Sequence, residues 1–89
     1  MKVKEEYVLK TVGNQTIVVP TGKEAVRFQG MITLNKTAKF LFLLLKEEQS
    51  EDTLVQKLIE HYEVDEQRAR TDVKAFIELL EKHQLLETV

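Results

Sequence analysis

The segment Met31-Ile-Thr-Leu-Asn35 and the stretch behind it constrain the fold more than any other part of this sequence. Residues 31–34 predict a short strand, and Asn35 can cap a following helix because its side chain accepts a backbone N–H. The stretch from Lys36 to Leu45 is very apolar, so as a helix it must be buried against other elements. A short strand that leads directly into a buried helix predicts a small sheet whose edge lies against a helical bundle.

Two further strands precede this segment. Residues 7–12 and 15–19 are rich in β-branched side chains, and Gly13-Asn14 between them is a two-residue link that favours a tight hairpin. Pro20 brings no N–H to a ladder and is expected to end the second strand. Together with residues 31–34, the hairpin predicts a three-stranded antiparallel sheet.

The connection between the second and third strands runs from residue 21 to residue 30. Val26 and Phe28 alternate with polar neighbours, so part of the connection is expected to be extended and tucked against the sheet. A sheet of three strands cannot cover its own apolar face, so other elements must pack on it.

Three helices are predicted to follow, capped by Asn35, Ser50 and Asp65. The apolar stripe of the first helix comprises Thr37, Ala38, Phe40, Leu41, Leu44 and Leu45. That of the third comprises Ala69, Val73, Phe76, Ile77 and Leu80. Leu85 and Leu86 are expected to fold back as a tail. The sequence therefore predicts a single α+β domain over residues 1–89, similar to a winged helix-turn-helix, with the sheet followed by three helices.

Composition excludes several classes of function. Acidic residues outnumber basic ones by only two, 15 against 13, which argues against a nucleic-acid partner, and the chain contains no cysteine. The first six residues lack the apolar region of a signal peptide, and the longest apolar run is too short to span a membrane. These features favour a soluble cytoplasmic domain with no membrane contact.

No pattern of catalytic, cofactor-binding or metal-ligating residues stands out. His61 and His83 are separate, and neither has a second histidine or a cysteine at ligand spacing. The glycines do not have the spacing of a phosphate-binding loop. We therefore expect a protein that is not an enzyme, with no cofactor, no metal and no catalytic residue.

Four pieces of the chain occur in an order that is typical of one small family. They are Tyr7-Val-Leu-Lys-Thr-Val12, Ile17-Val-Val-Pro20, Ile32-Thr-Leu-Asn35 with Thr37-Ala38, and Asp72-Val-Lys-Ala-Phe-Ile-Glu-Leu-Leu80 with Leu85-Leu86-Glu87. Over nearly the whole chain they resemble the PqqD-like proteins, the family of the pyrroloquinoline quinone biosynthesis protein D. The resemblance implies a recognition element that binds the leader of a ribosomally made precursor peptide.

The family resemblance also implies how the leader binds. It would lie as an added strand along the third strand, in the crevice beside the third helix. The expected peptide-binding residues are Met31, Ile32, Thr33 and Leu34 on the strand, and Arg70, Val73, Lys74 and Ile77 on one shoulder of the helix. This assignment has two alternatives. Val73 and Ile77 would be core residues, with Arg70 and Lys74 solvated or paired with Glu66 and Glu78 at helical spacing. The opposite shoulder, with Arg68, Asp72 and Leu79, could face the crevice instead.

Phe42 and Leu43 lie outside the predicted buried stripe, and Leu43 stands where relatives often carry a polar residue. They would form an exposed apolar patch for a homodimer or for a partner enzyme. The alternative is a first helix that is buried nearly all round.

Three functions are compatible with these features. The favoured one is a non-enzymatic chaperone that presents a precursor peptide to a modifying enzyme, which by resemblance would be a radical S-adenosylmethionine maturase. The second is a winged-helix DNA-binding regulator, but its recognition helix would begin with the acids Asp65 and Glu66, which phosphate would repel. The third is a structural adaptor that dimerises through Phe42 and Leu43.

Overall fold

The computed structural model of the chain describes residues 1–27 and 31–87. Within them the elements are β1 (Tyr7–Val12), β2 (Gln15–Pro20), α1 (Glu24–Arg27), β3 (Ile32–Leu34), α2 (Lys36–Leu44), α3 (Glu51–Tyr62) and α4 (Glu66–Lys82). The strands form one antiparallel sheet in the order β1-β2-β3. The predicted α+β class, with a three-stranded sheet followed by three long helices, is confirmed, and α1 is an additional short helix.

The hairpin between β1 and β2 closes on a turn of two residues. Val12 lies opposite Gln15, and Gly13 between them has a φ of 60°. Glycine at the first central position with a positive φ is the requirement of a type II′ turn, whose twist matches that of the flanking strands. The turn therefore sets the register of the first two strands.

The starts of the three long helices are confirmed. The side-chain oxygens of Asn35, Ser50 and Asp65 accept the backbone N–H three residues later, at 2.8, 3.1 and 2.7 Å. Each satisfies an amide that has no partner inside the helix.

The core lies between the inner face of the sheet and the three long helices. The predicted stripe of α4 is buried throughout, and the tail closes the core as expected, with Leu85 fully buried. An antiparallel bridge joins Val3 to Leu86, and the Lys4 N–H donates to the Leu85 carbonyl at 2.8 Å. The first and last described residues of the chain are thus tied together.

The expectation for the connection after β2 is wrong in part. Residues 24–27 form the helix α1, and the Val26 side chain is 84% exposed rather than tucked against the sheet. The buried side chain of Glu24 holds α1 in place. Its carboxylate accepts hydrogen bonds from the Tyr7 hydroxyl at 3.1 Å and from the Lys4 ammonium group at 3.4 Å. Phe28 lies outside the described residues.

Of the two possibilities that the sequence leaves open for Phe42, exposure and burial, the structure contradicts exposure. The Phe42 side chain is 0% exposed, because α2 contacts β3, α3 and α4 and is therefore covered on more than one side. Leu43, by contrast, is 50% exposed. The expected apolar patch for a homodimer is thus reduced to one residue. The first long helix is central, as in the alternative interpretation, but Lys36, Lys39 and Leu43 leave one side of it exposed.

Candidate functional site

The backbone of β2 shows which peptide groups of the sheet are already used. Beyond the end of β2, the Thr21 N–H donates to the Glu6 carbonyl of the neighbouring chain segment at 2.7 Å. Along an antiparallel ladder, residue pairs that share hydrogen bonds alternate with residue pairs that do not. The residues of β2 that bond to β1 are therefore every second one counted back from Thr21, and Ile17 is among them. The other residues of β2 direct their N–H and C=O groups toward β3.

This alternation leaves the peptide group of Thr33 free to face outward. Thr33 lies opposite Ile17, whose own groups point to β1, whereas Ile32 and Leu34 lie opposite residues that point to β3. The N–H and C=O of Thr33 therefore point away from β2 at the outer edge of the sheet. Within residues 1–27 and 31–87, no hydrogen bond is made to either group.

A crevice of about 340 Å³ runs beside this edge, between β3 and the helices α2 and α4. The strand side contributes Thr33, Leu34 and Asn35. The helices contribute Thr37, Ala38 and Leu41 from α2, and Arg68, Asp72, Ala75, Phe76 and Leu79 from α4. A strand edge with no partner among the described residues and a groove thus lie side by side.

The crevice has an apolar floor and a charged end. Leu34, Leu41 and Phe76 are each at most 5% exposed and form the floor together with the half-buried Leu79. At one end the Arg68 guanidinium lies 3.6 Å from the Asp72 carboxylate, one helical turn further along α4. A floor of this kind accepts an apolar side chain, while the ion pair offers charges of both signs at its rim.

Two of the four predicted strand residues line the crevice. Thr33 and Leu34 line the crevice, Ile32 is buried beneath the sheet, and Met31 just before β3 is 69% exposed.

The predicted residues of α4 are not brought to the crevice. Val73 and Ile77 belong to the core, Lys74 is exposed, and Arg70 lies 3.4 and 3.2 Å from the carboxylates of Glu51 and Asp52 on α3. The shoulder of α4 that lines the crevice is the one with Arg68, Asp72 and Leu79.

Several lining residues were not singled out from the sequence as part of a site. Helical periodicity places Thr37, Ala38 and Leu41 in the buried stripe of their helix and Phe76 in that of α4, and it gives Ala75 no role. For α2, the sequence does indicate a place beside the strand. Asn35 is the only residue between β3 and α2, so the first turns of α2 must lie next to β3.

No helix in residues 1–27 or 31–87 has the length and apolar character that crossing a membrane requires. In the same ranges, no three His, Cys, Asp or Glu side chains are grouped so that they could hold a metal ion.

The fold and the site define a winged-helix-like α+β domain with an open strand edge beside a helix. The sequence model of the family described as Coenzyme PQQ synthesis protein D (PqqD) matches residues 15–86. The chain belongs to this family. No curated protein sequence matches the chain.

Two solved structures share the fold. One is TbiB1 in complex with the TbiA(beta) leader peptide, with a TM-score of 0.75 and 19% identity, covering 100% of this chain and 98% of the other. The second is lasso peptide synthetase B1 complexed with the leader peptide, with a TM-score of 0.68 and 21% identity, covering 91% and 89%. At these identities the likeness establishes the fold.

Proposed function

We propose that residues 1–89 act as one peptide-binding domain that captures the leader of a ribosomally made precursor by strand addition. The observation that carries this proposal is the outward-facing peptide group of Thr33 beside the crevice. Family membership and the leader complexes of the two similar structures support it.

The chemistry of the edge suits a guest strand of variable sequence. The backbone N–H and C=O of Thr33, which point away from β2, supply affinity that does not depend on side chains, and the crevice supplies selectivity. Since side chains alternate along a strand, every second residue of the leader would enter the crevice and contact its apolar floor. On α4 the contacts would come from Arg68, Asp72, Ala75, Phe76 and Leu79, in place of the shoulder that carries Arg70 and Lys74.

The role that follows is presentation rather than catalysis. Tethering the leader raises the local concentration of the rest of the precursor at a modifying enzyme bound to the same complex. By family resemblance this enzyme would be a radical S-adenosylmethionine maturase, acting with the chain in the cytoplasm. Leu43 is half exposed on α2, and it is the residue through which the enzyme or a second copy of the chain would make contact.

DNA binding is not favoured by the charges of α4. A recognition helix must offer cations to phosphate, but Arg68 is paired with Asp72, and Arg70 is paired with two acids of α3. The first turn of α4 also carries Glu66.

The proposal is tested by blocking the crevice. The genes beside this one are first searched for a short precursor. The probe is a fluorescein-labelled synthetic peptide with the sequence of the N-terminal half of that precursor, hereafter the leader probe. Ala75→Tyr places a large side chain in the crevice from an exposed position, so we expect binding to weaken about tenfold, equivalent to about 1.4 kcal/mol. Fluorescence polarisation measures the affinity.

Lys74→Tyr is the matched control, because it introduces the same side chain at the next exposed position, outside the crevice. We expect its affinity to stay within about twofold of the unmodified protein. A leader probe that does not bind the unmodified protein would overturn the proposed function. If Lys74→Tyr lowers the affinity for the leader probe more than Ala75→Tyr does, the peptide binds along the other shoulder of α4.

A further inference from the structure

A second depression adjoins the crevice at the end of β3. It has a volume of about 460 Å³ and lies between the tip of the hairpin and the start of α2. Leu34 and Asn35 line both depressions, so a chain that leaves the crevice at the Asn35 end of β3 passes directly into the second one. We call it the lysine basin, after Lys36 and Lys39 in its wall.

The two lysines of the basin have no counter-charge among the described residues. Among the described residues, no carboxylate lies within ion-pair distance of Lys36 or Lys39, although both arginines of α4 are paired. Both lysines stand at the start of α2, and the first turn of that helix contains no acid. A cation is disfavoured at this end of a helix, where the backbone already presents positive charge. An anion in the basin would offset both effects.

A buried hydroxyl adds a hydrogen-bonding group to the basin wall. Thr16 is only 8% exposed, and within the described part of the chain its hydroxyl makes no hydrogen bond. Every described side-chain nitrogen or oxygen that is shut off from solvent does have a partner. The Thr16 hydroxyl therefore touches solvent, and Thr16 lines the basin, so the hydroxyl is placed to donate to a carboxylate oxygen there.

We propose that the lysine basin binds an acidic side chain of the leader, in the segment that emerges from the crevice beside Asn35. This inference rests on the proposed function and adds a second, charged anchor point to the strand edge. Lys36 and Lys39 supply the attraction, and Thr16 supplies a directed donor. Because both ammonium groups are at the surface, they act mainly by speeding association, and salt screens them.

The test compares two double variants with the same change in net charge. Lys36→Gln/Lys39→Gln removes the cations of the basin, and Lys10→Gln/Lys57→Gln removes two exposed lysines elsewhere. At low salt we expect the first to bind the leader probe about threefold to tenfold more weakly, through slower association, and the second to bind almost normally. A leader probe with its Asp and Glu changed to Asn and Gln should bind the unmodified protein and the basin variant equally.

Each outcome separates this inference from the function on which it rests. If the leader probe binds both double variants equally well, with equal dependence on salt, the basin proposal is overturned and leader capture stands. If the probe does not bind the unmodified protein, both fail. If a duplex DNA fragment binds in its place and Lys36→Gln/Lys39→Gln abolishes that binding, the basin is a nucleic-acid site and the proposal is wrong.

Discussion

Replacing Thr33 by Pro is expected to weaken binding of the leader probe about thirtyfold, equivalent to about 2 kcal/mol. The Thr33 N–H points out of the sheet edge, so proline removes this donor and leaves the bonds between β2 and β3 in place. A carbonyl of the bound leader is then left without a partner, which costs about 1–3 kcal/mol when the group is buried. Fluorescence polarisation measures the loss.

Thr33→Ala is the matched control, because it keeps the N–H and removes only an exposed side chain. We expect its affinity to lie within about twofold of the unmodified protein. Both variants should remain folded, since proline is tolerated on an edge strand where the N–H faces away from the sheet. Circular dichroism checks this. Equal affinities of the two folded variants would count against strand addition.

Replacing Phe42 by Ala is expected to lower the free energy of unfolding by about 3–5 kcal/mol. The side chain is 0% exposed in the central helix, so its loss removes apolar burial and leaves a cavity that the surrounding helices cannot close. Urea unfolding monitored by circular dichroism measures the change.

Leu43→Ala, at the next position, is the control, and we expect it to change stability by at most about 0.5 kcal/mol because the side chain is half exposed. If Phe42→Ala does not fold, Phe42→Leu replaces it, with an expected loss of about 1 kcal/mol. A result in which Phe42→Ala changes only the oligomeric state, with stability intact, would mean that Phe42 is at an interface and would contradict its burial.

The elements that sequence predicted well are those set by nearby residues. Asn35, Ser50 and Asp65 each cap a helix through a bond to the amide three residues later, so the chemistry of the start is local. The hairpin turn likewise depends on the conformational freedom of Gly13, whose φ is positive.

What sequence did not predict depends on contacts between distant segments. The short helix α1 is held by bonds from Lys4 and Tyr7 to Glu24, which no local pattern indicates. Phe42 lies outside the single stripe of a helix packed on one side, and its burial follows from α2 having neighbours on several sides.

Which shoulder of α4 faces the crevice also depends on contacts between distant segments. The periodicity of α4 establishes its buried stripe but not which flank faces α3 and which faces β3. In the structure the contacts of Arg70 with α3 place its shoulder there, and the shoulder with Arg68 is left beside the strand edge. Sequence therefore predicted two of the strand residues that line the crevice, Thr33 and Leu34, and left the helix shoulder undecided.

Hydrogen exchange at the Thr33 amide tests leader capture by strand addition most directly. In the free protein this N–H has no partner within the described residues, so it should exchange quickly. Saturation with the leader probe is predicted to slow its exchange at least about tenfold, because a bond to the added strand must open first. An unchanged rate at Thr33, with the probe demonstrably bound, would contradict the account.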